Sequence, residues 1–201
     1  MKKALLALLS AVLVITVVQP AQAQDERVLA IIDSAINSDN FPQIIHEVCF
    51  TTSKSMACPN KQLFMEGKGA ASAPWPKSIN NATYHGDSMV KAALTVDPNL
   101  KIVFIRFNDV TASGNSRGDA RALALAFDWV SKNASKYSID ALSVSQSSVS
   151  ANNLKLCTAD TVTVNAVASL NANNIPVFAA TGNDRRKDVV GFPSCVNGVI
   201  G

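Results

Sequence analysis

Three side chains in this sequence could share the work of acyl transfer: a carboxylate, an imidazole and an amide. Asp33 closes the apolar run "RVLAIID", so its carboxylate stands at the end of a strand. It could steady a histidine, or simply cap the next turn, a common fate for "IIDSA". His85, in "NNATYHGDSMVKAAL", lies where a loop runs into a helix. A neutral imidazole there could take a proton from a nucleophile and return it to a leaving group, although a lone histidine is often only solvated. Asn183 follows Gly182 in "VFAATGND". Its amide could donate to a developing oxyanion while Gly182 lets backbone approach a ligand, or the two could form a plain turn. The only other histidine, His46, reads as a partly exposed neighbour of Cys49 on an amphipathic helix.

The elements that must position these groups alternate along the chain. "RVLAIID", "KIVFIRF" (101–107), "IDALSVS" (139–145) and "IPVFAA" (175–180) read as buried strands. "DNFPQIIHEVCF" (39–50) reads as a short helix with Ile44, Ile45 and Val48 inward, and "DSMVKAALTV" as another helix. Leu123, Phe127 and Val130 mark a third, and Val164, Val167 and Leu170 in "TADTVTVNAVASLNANN" a fourth. Residues 51–84, with Pro59, Pro74 and Pro76, read as a long irregular insertion. The pattern predicts an α/β fold, a three-layer α/β/α arrangement around a mainly parallel sheet. In such sheets ligands bind beyond the carboxyl ends of the strands, where Asp33 and Asn183 fall.

Bulk properties narrow the class. The 201 residues are 48% hydrophobic and 16% charged, which suits one globular domain. Residues 1–23 have the form of a secretory signal peptide: Lys2 and Lys3, an apolar run from Ala4 to Val18, and "AQA" before the cut. Its loss removes two lysines, so the formal charge falls from +3 to +1. With "DRRKD" (184–188) balancing itself, nothing is basic enough for a nucleic-acid partner, and no membrane contact is expected once the signal is cut. The mature domain, 24–201, is expected to be secreted or periplasmic, where Cys49, Cys58, Cys157 and Cys195 would form two disulfides. Three connectivities exist; Cys49–Cys58 with Cys157–Cys195 is favoured, closing a short loop and tying a late helix to the final segment. A zinc site from His46, Cys49, Cys58 and His85 fits no zinc framework closely.

Taken in order, strand–Asp, loop–His–Gly–helix and strand–Gly–Asn resemble the subtilisin-like serine proteases over essentially all of 27–201. "VLAIIDSAI" is similar to the family's V-x-V-I-D-[ST]-G-I, "HGDSMV" to H-G-T-H-V-A, and "IPVFAATGND" to V-V-V-x-A-A-G-N. "GFPSCVNGVIG" is similar to Y-P-A-x-x-x-x-V-I-x-V-G. The resemblance implies a serine endopeptidase acting on a peptide or protein substrate. His85 would be its general base, Asp33 the group fixing the imidazole's tautomer, and Asn183 the oxyanion donor. It also implies substrate-binding segments at Ser145 and Gln146 in "ALSVSQSS", at Ser113 and Gly114 in "SGNS", and at Gly182. No cofactor is implied; structural calcium occurs in the family, but no site for it is identifiable here. Ser88, in "GDS", then falls within a helix, not at the strand-to-turn position a nucleophile needs.

The pattern also departs from the family. The family's nucleophile lies in G-T-S-[MAV]-[AS]; these residues stop at Gly201, eighteen beyond Asn183, and hold no such motif. The resemblance therefore implies the N-terminal two-thirds of a catalytic domain, inactive in this form, with a catalytically dead peptide- or protein-binding relative as the alternative. Ala35 replaces a glycine, which would be costly if its backbone is left-handed. Asp87 replaces a threonine, and its charge beside His85 could favour the imidazolium. Ser147 and Ser148 replace glycines. The sheet is expected to end on a bare apolar edge.

Overall fold

The computed structural model describes residues 26–54, 57–72, 84–110 and 116–201. The strands are β1 Val28–Asp33, β2 Ile44–Phe50, β3 Phe64–Glu66, β4 Lys101–Arg106, β7 Ile139–Val144, β8 Val177–Ala179 and β9 Val199–Ile200. They form one sheet in the order β3-β2-β4-β1-β7-β8-β9. Every pairing is parallel except β2 with β3. A separate two-stranded ribbon, β5 (Asn108–Val110) with β6 (Ser116–Gly118), follows β4. The helices are α1 His85–Val96, α2 Ala120–Asn133, α3 Ala151–Ala159 and α4 Thr161–Ala172.

Alternation along the strands divides the core between two faces. Ala30, Ile32, Val103, Ile105, Leu142, Val144 and Val177 pack beneath α2 and α4, against Phe127, Val130, Val167 and Leu170. Ile31, Ile102 and Phe104 point the other way and are covered by α1 through Val90. The result is the expected α/β sandwich. Both favoured disulfides are formed, Cys49–Cys58 and Cys157–Cys195. The first removes two of the ligands a zinc site would need, and no group of three metal-ligating side chains occurs among the described residues. Among those residues, too, no helix is long and apolar enough to cross a membrane.

Two readings of the sequence are corrected. Residues 44–50 are a strand, not a helix, and Ile45 is exposed while Val48, Cys49 and Phe50 are buried. An apolar run this short fits either period; the free edge of β4 decides it by supplying parallel partners from Ile44 to Cys49. The second correction concerns the residues before the helix read in 158–174: that helix is α4, and 151–159 form a further helix, α3. Asp160 breaks them apart, its Oδ1 accepting from the Val162 and Thr163 N–H groups and its Oδ2 from the Thr163 hydroxyl. An aspartate cap of this kind satisfies donors that an uninterrupted helix would not leave open. Within the irregular 51–84 stretch, β3 adds an antiparallel edge.

Candidate functional site

β1 ends on Asp33, and the chain after it is locked by hydrogen bonds. Asp33 is fully buried; its Oδ1 accepts from the Ser34 N–H at 2.6 Å. Ser34, also fully buried, turns its hydroxyl oxygen to accept the Gly86 N–H at 3.1 Å. That bond satisfies one of the donors left open at the start of α1 and fixes the helix against the end of β1. Gly86 makes the approach feasible. A Cβ there would lie 2.7 Å from Ile36 Cγ2 and Phe104 Cζ and 2.8 Å from the Ala35 carbonyl oxygen. Only glycine fits so close to a neighbouring backbone.

The consequence is a fixed carboxylate–imidazole pair. His85, the first residue of α1, brings Nδ1 within 2.8 Å of Asp33 Oδ1. An N–H on Nδ1 donating to the carboxylate leaves Nε2 with its lone pair, the tautomer a general base requires. The Asp33 hydrogen bond raises the His85 pKa above the ordinary 6.5; partial burial opposes this, and the carboxylate's charge reinforces it. Among the described residues Asp33 Oδ2 is buried without a hydrogen-bond partner. The imidazole itself is 46% exposed, half in solvent and half on its anchor.

Asp87 makes no hydrogen bond to His85 and is turned instead to Asn37. It is buried, and its Oδ1 accepts the Asn37 N–H at 2.8 Å. Burial raises its pKa, while that hydrogen bond and Lys91 pull it down. Ala35 is buried without a left-handed backbone, so its methyl costs no strain. Arg106, in register with Asp33 on the next strand and almost fully buried, donates from Nη1 to the Ser72 carbonyl oxygen. Ser34 and Arg106 were not singled out from the sequence. A serine directly after a strand-ending aspartate and an arginine inside an apolar strand were the signals available.

On the far side of β1 the register aligns Ile32, Val144 and Ala179 across β1, β7 and β8. Asp33, Ser145 and the residues after Ala179 thus leave the sheet along one rim, with β8 about 10 Å from β1 at the usual strand spacing. Gln146 Nε2 lies 3.5 Å from His85 Nδ1; both are donors once Nδ1 serves Asp33, so this is a contact beside the ring. Ser148 and Phe192 exchange backbone hydrogen bonds of 3.0 and 2.9 Å. Ser147 points inward: its Oγ is buried, and a Cβ on Gly182 would stand 3.4 Å from it. Gly182 adopts φ +120°, which lets the chain turn at the rim, and Asn183 follows with an exposed side chain. No hydrogen bond joins Asn183 to the Asp33–His85 pair among the described residues. Ser113 and Gly114 lie outside the described residues. Ser88, part-buried, sits within α1, one turn past His85. His46 is on β2, with Nε2 2.9 Å from Glu66 Oε1 and its ring stacked on Tyr137 and Trp129, far along the sheet from the pair.

No protein-family model and no curated protein matches the sequence. Solved structures do. A lanthipeptide protease superposes with a TM-score of 0.55 at 15% identity, over 87% of this chain and 47% of that one. The fold is subtilisin-like. The prenylagaramide maturation protease PagA (TM-score 0.46, 16% identity, 87% and 52% coverage) and the PatG macrocyclase in complex with peptide (0.45, 12%, 87% and 55%) also match. The chain therefore spans about half the length of the structures it resembles.

Proposed function

We propose that this chain carries the acid–base half of a subtilisin-like serine endopeptidase. The observation that supports it most is the 2.8 Å contact between His85 Nδ1 and buried Asp33, set at the sheet rim. In this reading a peptide lies along Ser145–Ser148 as an added strand, and a serine hydroxyl outside these 201 residues loses its proton to His85 Nε2 as it attacks the scissile carbonyl. Asp33 steadies the imidazolium, and the Asn183 amide donates to the oxyanion. The imidazolium then returns its proton to the leaving amine, and water, activated by the same ring, releases the acyl group.

A serine-bearing segment also has a place to pack. Ile31, Ser143, Phe178 and Ile200 form one in-register row, and the row is covered by α1 only at its Ile31 end. In this reading the mature chain works outside the cytoplasm, where its two disulfides would persist. To test the reading, we would translate the gene beyond the Gly201 codon, express the whole open reading frame and treat it with a fluorophosphonate. Labelling at a downstream G-T-S serine, together with peptide hydrolysis lost in His85→Ala, supports it. Labelling of Ser88 overturns it.

The second reading is a peptide-binding relative without hydrolysis. It is favoured by serines at 147 and 148 where the family has glycine, with the Ser147 hydroxyl filling space beside Gly182. An open reading frame that ends without a nucleophile, in a protein that still binds peptides, would select it.

A further inference from the structure

Beyond the rim, the chain from Thr181 to Val190 loops around a pocket of about 400 Å³ whose opposite wall is Val149. Gly182 belongs to both the proposed peptide cleft and this pocket, so a side chain of a peptide bound there can enter it. Its charges are unequally committed. Arg186 is spent: Nε and Nη2 donate to the two carboxylate oxygens of Asp188 at 2.8 and 2.6 Å, a two-pronged pair that holds Asp188 down at about 2. Arg185 and Lys187 have no hydrogen-bond or ion-pair partner among the described residues. The remaining carboxylate, Asp184, lies against Gly182; a Cβ there would be 3.3 Å from its Oδ2. Arg185 holds φ 55°, a left-handed backbone uncommon for a non-glycine residue. The loop therefore presents two uncommitted cations and one carboxylate around a pocket that Val149, Val189 and Val190 also line.

We infer that this pocket selects a carboxylate on the bound peptide, received by Arg185 and Lys187. The inference rests on the peptide-cleft reading above. Asp184 sets the limit: its charge at the Gly182 wall repels an acid that enters too shallowly, so the carboxylate must reach past it to the two cations. A carboxylate could come from a Glu or Asp side chain or from a peptide's own C-terminus, and both present the same two oxygens to the same donors.

The test is calorimetric titration of the 201-residue chain, expressed with export so that its disulfides form, with alanine-rich peptides blocked at both ends. A single Glu, Gln or Lys is moved through each position, and a parallel set of Ala peptides carries a free or amidated C-terminus. At one position Glu should bind about tenfold tighter than Gln, the gain of one charge-assisted bond. Lys should bind more weakly than either. Arg185→Gln with Lys187→Gln, both exposed, should bring Glu and Gln within about twofold of each other, chiefly by weakening the Glu peptide. A preference for the free C-terminus alone, erased by the same double variant, assigns the carboxylate to the chain end. Equal binding of Glu and Gln at every position, with no effect of the C-terminus, overturns the specificity and leaves the cleft standing. No binding by any peptide overturns the cleft, and this inference with it.

Discussion

Around β1, β4 and α1 the rim is packed solid, whereas around β7, β8 and β9 the same face lies open. Phe104 and Ile31 are essentially fully buried under α1; Phe178 and Ile200, continuing the same row, are 43% and 50% exposed. The first half is held by close approach: Gly86 against Phe104 and the Ala35 carbonyl, Ser34 to Gly86, Asp33 to His85. The second half is held by a covalent tie from α3 to the 191–199 segment and by backbone bonds between Ser148 and Phe192. The Asp33–His85 pair thus belongs to a closely packed part of the fold. The proposed oxyanion and substrate side belongs to a part whose apolar face is exposed.

If that contrast is right, the two halves should fail differently. Replacing Cys157 and Cys195 with alanine opens a 38-residue loop and should cost about 4 kcal/mol in chemical denaturation, the largest single loss. The Asp33–His85 contact should survive it wherever the protein remains folded, as read by His85 NMR shifts. Gly86→Ala drives a methyl into backbone and aromatic carbon and should cost about 2 kcal/mol while also displacing His85. Ser34→Ala strands the buried Gly86 N–H and should cost about 1–2 kcal/mol. In the open half, Phe178→Thr should change stability by less than about 0.5 kcal/mol but reduce binding of a hydrophobic dye. A large stability loss there would mean the face is closed in solution.

Much of this arrangement is legible in the letters because the pattern and the chemistry coincide. Asp33 ends an apolar run, Gly182 and Asn183 follow another, and the strand–helix alternation predicts the parallel sheet to which both strands belong. The errors arose where the sequence carries little periodic information. Ile44–Phe50 is short enough for either period, and only the neighbouring edge of β4 makes it a strand. The split between α3 and α4 turns on the single side chain of Asp160. Asp87 read as a neighbour of His85 because the two are adjacent along the helix, yet its side chain serves Asn37 fifty residues upstream. Ser34's role depends on where α1 begins in space, which no local pattern encodes.

pH offers the finest probe of the closed half. A histidine whose folded pKa lies above its unfolded value stabilises the protein fully below the unfolded value, and that contribution is lost as pH rises through the raised one. General-base activity runs the opposite way, appearing as the ring loses its proton. The measurement that bears most directly on the Asp33–His85 pair is an NMR titration of the His85 ring in the parent chain and in Asp33→Asn. The parent should titrate above 6.5, with Asp33→Asn bringing the midpoint down. Identical midpoints in the two proteins would contradict the account, because the carboxylate would then not be holding the imidazole.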